Sequence, residues 1–167
     1  MERALQNGFD KIFLSKDFSV DSLRAEDNYF DFVLNKDVLE HLMDPAFLIK
    51  EIARILKPEG LFLLHVPNDF SLWKRIKFVF LNNVDTYNYF PDAKEWNRPH
   101  IRFFTYKGIE ELLQIHGFEI VKNYSSSFAY FPIVNKIPGC MLMTKWLANK
   151  FPSQFSQSIT LLARKKK

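Results

Sequence analysis

Residues 30–68, FDFVLNKDVLEHLMDPAFLIKEIARILKPEGLFLLHVPN, decide the fold. Phe30–Leu34 is a short apolar run that ends in polar Asn35, Lys36 and Asp37. Asp44-Pro45 marks a helix start: the aspartate accepts from orphan N–H groups, and the proline has no N–H to leave unpaired. Leu48, Ile52 and Ile55/Leu56 recur at helical spacing, with Lys50, Glu51 and Arg54 on the other side. Lys57-Pro58-Glu59-Gly60 stops the helix and turns the chain. Leu61–Val66 is a second apolar run, closed by Pro67-Asn68. Strand, helix, strand predicts parallel pairing through a right-handed crossover, with both strands buried on two faces.

Outward from this unit, His100–Lys122, HIRFFTYKGIEELLQIHGFEIVK, is the second patterned block. An Arg102-Phe103-Phe104 strand is expected first. Thr105 then caps a helix whose apolar side is Leu112, Leu113 and Ile115; Gly117 ends it, and Phe118–Val121 is the next strand. A helix over Met141–Lys150 and a final strand over Ser158–Ala163 follow. Before the central unit, Met1–Gln6 reads as a last helical turn, and Phe9–Leu14 contains a short strand. Phe70–Leu81, FSLWKRIKFVFL, mixes Trp73, Ile76 and Phe80 with Lys74, Arg75 and Lys77. Two readings stand there: a helix that packs its apolar side on the domain, or a basic aromatic helix that makes a weak contact with a membrane surface. Asn82–Pro99 is loop-like and aromatic.

With 167 residues the chain suffices for a single domain with a real core. Its 47% hydrophobic and 25% charged content are ordinary for a soluble globular protein. The net charge of +4 owes much to Arg164-Lys165-Lys166-Lys167, read as a solvated end, so no nucleic-acid partner is expected. Cys140 is alone, and no apolar run is long enough to span a bilayer. A reducing, cytoplasmic setting is the expectation.

At FDFVLNKDVLEHL…DP…LIKEIARILKPEGLFLLHVPN the chain resembles the fourth to fifth strands of class I S-adenosylmethionine-dependent methyltransferases. The H-x-R-F-F-T…LL…GFE block resembles the segment before that family's sixth strand. The resemblance implies an α/β fold: a partial Rossmann-like methyltransferase sheet, mostly parallel with an antiparallel last strand. Residues 1–167 would form a single partial domain, with 69–100 as a lid or insertion. The implied activity is methyl transfer from S-adenosylmethionine to a small-molecule or glycan/lipid acceptor. The family opens with a glycine-rich loop that lets the backbone approach the cofactor. Here the five glycines are Gly8, Gly60, Gly108, Gly117 and Gly139, and no two form such a loop. The expectation is therefore an N-terminally truncated domain. A second reading is a non-catalytic subunit that retains the C-terminal half of the fold. Either way Phe30–Leu34 becomes an apolar edge, to be covered by Lys11–Leu14 or by self-association with a second chain.

By the same resemblance, Asp17 and Phe18 would flank the adenine, and Asn35 and Lys36 would meet the methionyl end. Lys36 must then point away, because its charge opposes a sulfonium. Ligands of open α/β sheets sit beyond the strands' carboxyl ends, and methyl transfer needs a base only when the acceptor is protonated. Asp37, Glu40 and His41 fall at i, i+3 and i+4, one face of a helical turn. His41 would be the base, oriented by Asp37 or Glu40, and His100 is the other candidate. A similar acid–acid–His set binds a divalent metal in ubiquinone-pathway O-methyltransferases, but two carboxylates and one imidazole are an incomplete ligand set, so no metal is expected. His65 and His116 read as structural.

Overall fold

The computed structural model describes residues 17–81, 100–128 and 140–167. The helical turn at Met1–Gln6, the strand at Phe9–Leu14, the covering role of Lys11–Leu14 and the loop over Asn82–Pro99 lie outside the described residues. The elements are β1 (Phe30–Lys36), a 3-10 turn (Leu39–His41), α1 (Pro45–Ile55), β2 (Leu56–Pro67), α2 (Leu72–Leu81), α3 (Tyr106–Ile115), β3 (Phe118–Asn123), a second 3-10 turn (Ser125–Phe128), α4 (Cys140–Lys150), α5 (Pro152–Phe155) and β4 (Ser158–Lys165).

The central unit forms as its sequence dictates. Asp44 caps α1, its carboxylate accepting from the N–H groups of Ala46 at 3.0 Å and Phe47 at 3.1 Å. α1 carries the chain from β1 to β2, which pair in parallel with Val33 opposite Phe62 and Leu34 opposite Leu63. The turn after the helix differs from expectation. β2 begins at Leu56, opposite Phe30, and the register is interrupted before Leu61 meets Phe32. Lys57–Gly60 is thus an excursion within the strand, not a separate turn. Glu59 takes a left-handed φ of 66° there. A Cβ on Gly60 would lie 2.8 Å from the Lys57 carbonyl oxygen, so only glycine fits.

The sheet order is β1-β2-β4-β3. β4 runs antiparallel to both β2 and β3, which leaves β1, β2 and β3 parallel to one another. Alternate residues of the strands, Phe62, Leu64, Val66, Ile159, Leu161 and Ala163, face one core. Leu48, Ile49 and Ile52 of α1 and Ile109 and Leu113 of α3 close over that face. Thr105 caps α3 by accepting from the Gly108 N–H at 3.0 Å, and Gly117 takes φ 83° just past its end.

β1 corrects the expectation of two buried faces. Phe32 is 49% and Leu34 57% exposed. Their neighbours on the same face, Leu61 and Leu63, are half-buried. An apolar run reports that both faces could be buried, not that a second layer covers them. Arg102-Phe103-Phe104 is likewise irregular rather than a strand.

Glu51 and Arg54 are not simply a solvated face of α1. Arg54 donates to both Glu51 carboxylate oxygens at 3.0 and 2.8 Å, to the carbonyls of Leu23 and Ala25, each at 2.9 Å, and to Asp27 at 2.6 Å. Glu51 in turn accepts from the Leu23 N–H at 2.9 Å. This network fastens residues 23–27 to the helix and sets the entry into β1. The Arg54 hydrogen bond holds the Glu51 carboxyl below its ordinary value, against the upward push of burial. A depressed carboxyl stabilises above the unfolded value of 4.5 and loses that contribution as the pH falls through the folded value. Arg54→Ala is therefore expected to lower unfolding free energy by about 2 kcal/mol at pH 7. In urea titrations that deficit should shrink at pH values well below 4.5; a deficit unchanged in acid would mean that charge is not its source.

Candidate functional site

The site is built where β1 ends. Asp37 takes φ 53°, which swings the chain out of the strand and into the Leu39–His41 turn. Buried Leu39 anchors that turn in the core, and Glu40 follows it inward, only 1% exposed. The segment leading to α3 then docks on the turn. The Glu40 carbonyl accepts from the N–H groups of Ile101 at 2.9 Å and Arg102 at 3.1 Å. The Arg102 guanidinium donates to the Leu42 carbonyl at 3.3 Å and to the Met43 carbonyl. Met43 donates its N–H to the Ser19 hydroxyl at 3.0 Å, which ties residues 17–19 to the same loop.

This docking places His100 against His41, ring centroids 5.0 Å apart and edge-to-face at 72°. Ligand atoms of Glu40, His41 and His100 all lie within 4.8 Å of one another. Both Glu40 carboxylate oxygens are buried and have no hydrogen-bond partner among the described residues. Burial pushes the Glu40 carboxyl above its ordinary value; the residue's own backbone N–H and then His41 pull it down, while Asp37 and Asp69 add to the rise. Such a cluster can move a proton, and one carboxylate with two imidazoles also matches donor sets that hold zinc and similar divalent ions. An acid left without a partner in the interior is what a bound cation would satisfy. The residues present therefore fit a cation, where the sequence led to the expectation of none.

Asp37 does not share a face with Glu40 and His41, which corrects the helical-turn expectation. Its left-handed backbone turns it toward β2, where its carboxylate lies 3.5 Å from His65 Nε2 and its N–H donates to the His65 carbonyl at 3.1 Å. His65 Nδ1 is 2.8 Å from the Thr160 hydroxyl. Burial lowers the His65 imidazole's proton affinity, partly opposed by Asp37. Asn35 is buried on the core side of β1. Lys36 is exposed, its ammonium 3.9 Å from the Asp37 carboxylate. Asp17 caps its own turn, accepting from the Ser19 N–H at 2.7 Å, and Phe18 packs against the core. The structure thus unites His41 and His100 with Glu40; Asp17, Phe18, Asn35 and Lys36 stand outside that cluster. Arg102 is the residue that sequence reasoning passed over. It stands inside the patterned block, but its role depends on two carbonyls about sixty positions away.

A parallel sheet with one antiparallel strand between its last two, and a polar cluster at the strands' carboxyl ends, is the arrangement of class I methyltransferases. A family model described as a methyltransferase domain matches residues 4–123, and the chain belongs to that family. It is similar to a probable S-adenosylmethionine-dependent methyltransferase of Mycolicibacterium smegmatis, 33% identical over 59% of this chain and 32% of that protein. It is also similar to a ubiquinone biosynthesis O-methyltransferase of Bartonella tribocorum, 29% identical over 48% of this chain and 34% of that one. The matched regions span about a third of these curated relatives. Among solved structures, a Haloferax volcanii putative methyltransferase in complex with the Trm112 activator superposes with TM-score 0.56 at 20% identity, over 99% of this chain and 66% of that chain. A Mesorhizobium loti S-adenosylmethionine-dependent methyltransferase gives TM-score 0.56 at 14% identity, over 98% and 74%. At those identities the likeness is one of fold.

Glu40 allows a test with a defined sign. A carboxyl raised above its unfolded value of 4.5 weakens folding as the pH rises from there toward the folded value. Glu40→Gln is expected to raise the melting temperature at neutral pH and to change it little in acid. Zinc should raise the melting temperature of the unaltered chain and leave Glu40→Gln unmoved. Equal zinc shifts in both would contradict the ligand role.

Proposed function

We propose that this chain carries the acceptor side of an S-adenosylmethionine-dependent methyltransferase site, acting on an O–H or N–H of a small-molecule or glycan/lipid intermediate. The observation that carries the reading is the convergence of Glu40, His41 and His100 beyond the carboxyl end of β1. The cofactor, when bound, supplies an electrophilic methyl group. A ring nitrogen of exposed His41 takes the acceptor proton as the nucleophile forms. His100 braces the His41 ring edge-on, and the buried Glu40 carboxyl favours the imidazolium that results. Asn35 would meet the methionyl amine only through its backbone, because its side chain turns into the core. Exposed Lys36 keeps its charge in solvent, as a sulfonium neighbour requires. Asp17 and Phe18 stand for the adenine side. The O-methyltransferase activity in a relative's name supports an oxygen acceptor. A cytoplasmic setting agrees with Cys140 as a free thiol.

A second reading, a non-catalytic subunit, has its own support: no two of the chain's five glycines form a cofactor loop, and β1, the outer strand among the described residues, exposes Phe32 and Leu34. Calorimetric titration with S-adenosylmethionine separates the two. Micromolar binding supports the enzyme, and no heat at millimolar ligand from folded protein supports the subunit. Under the first reading, His41→Gln lowers kcat about 100-fold or more with KM for S-adenosylmethionine unchanged. A kcat within a few-fold of the original would remove His41 as the base.

A further inference from the structure

α4 is built inside out. Its inward side is small, Thr144 and Ala148, both buried. Its large apolar side chains face solvent, with Leu142 73% and Trp146 58% exposed and Met141 and Met143 beside them. Leu142 and Trp146 are four residues apart and Met143 and Trp146 three, so they form one stripe. That stripe continues into Lys150, whose ammonium lies 5.5 Å from the Trp146 ring and 5.6 Å from the Phe151 ring. α2 ends in the same manner, with Phe78, Val79 and Phe80 all exposed. Both helices pack on short α5, which lies between them.

Charge says what covers this surface. α2, α5 and α4 contain Lys74, Arg75, Lys77, Lys145 and Lys150, and no acidic residue. Lys74 is held by the Asp69 carboxylate at 3.0 Å, which leaves Arg75, Lys77, Lys145 and Lys150 as the remaining cations of these three helices. A protein partner's apolar patch would meet the exposed rings without needing helices that carry cations and no acid. An anionic bilayer needs both: rings and aliphatic chains at the acyl boundary, and ammonium and guanidinium groups among the phosphates. The exposed indole beside Lys150 suits the amphipathic zone between the two. No described helix is long and apolar enough to cross a membrane, so the contact would be one of lying on the surface.

We propose that α4, with the adjoining ends of α2 and α5, docks the protein on an anionic phospholipid bilayer, α4 providing the main contact. The Lys74 pairing shifts the contact away from α2's basic side, where the sequence alone would put it. The docking is independent of whether the Glu40–His41–His100 cluster is catalytic.

The test is co-sedimentation of the full chain with phosphatidylcholine vesicles and with vesicles containing phosphatidylglycerol. The expected result is partitioning onto the anionic vesicles alone, weakened by salt. Charge reversal at Lys145 and Lys150 should reduce partitioning by about tenfold or more. Leu142→Ser with Trp146→Ser should reduce it at least as much, with circular dichroism confirming the fold. If that pair unfolds, brominated-lipid quenching of fluorescence, lost in Trp146→Phe, carries the same information. Folded protein that stays in the supernatant overturns the proposal. So does a lipid-free dimer, seen by light scattering, that Trp146→Ser dissociates, because the surface would then belong to a second copy. Vesicle binding unaffected by either pair of substitutions overturns it too.

Discussion

Three backbone carbonyls organise the business end of this domain: those of Glu40, Leu42 and Met43. The Glu40 carbonyl takes two N–H groups from the segment that precedes α3, and Arg102 lays its guanidinium on the other two. Charge-assisted donors of this kind are the stronger class of hydrogen bond, and a planar fork fixes direction as well as distance. These bonds carry His100, far from His41 in sequence, to the Leu39–His41 turn. The site is a product of loop docking onto a rigid sheet end, with β1 and the buried Leu39 as the fixed side and the 100–102 segment as the part carried to it.

That arrangement places a carboxylate where it is least comfortable. Glu40 sits in the core-facing half of a tight turn, and burial outweighs the nearby imidazole in its effect on the proton. A second glutamate is treated differently. Glu51, on α1, is also buried, though less deeply; it meets Arg54 on both oxygens and its proton affinity moves the other way. Among the described residues, then, one buried glutamate is paired in a structural network, and the other belongs to the cluster proposed as a site. The satisfied one secures the approach to β1, and the other stands at its exit.

Local signals in the sequence proved reliable because their partners are local. Asp44-Pro45, Thr105 and Gly117 act on N–H and C=O groups within a few residues, and each does so in the structure. The parallel pairing of β1 and β2 was legible for the same reason, as one crossover helix joins two apolar runs. What escaped notice depends on distant parts of the chain. The exposure of Phe32 and Leu34 depends on which layers cover the sheet, and an apolar run carries no record of that. The Lys57–Gly60 excursion follows from where Phe30 pairs. Asp37 joins His65 rather than Glu40 because of one left-handed backbone angle, invisible in an i, i+3, i+4 spacing. Within the site, His41 and His100 could be named from their positions after a strand and before a patterned block. Their union with Glu40, and Arg102's part in it, needed the folded chain. So did the inverted polarity of α4, whose sequence places large apolar residues around the helix without saying which of them turn outward.

The claim on which this account turns is that Arg102 docks the 100–102 segment and so holds the two imidazoles side by side. Nuclear Overhauser contacts between the ring protons of His41 and His100 test it most directly. With centroids 5.0 Å apart, the protein should show cross-peaks between the rings. Arg102→Ala should erase them while the amide shifts of α1 and β2 stay in place. Absence of those cross-peaks from the unaltered, folded protein, or their survival in Arg102→Ala, would contradict the account.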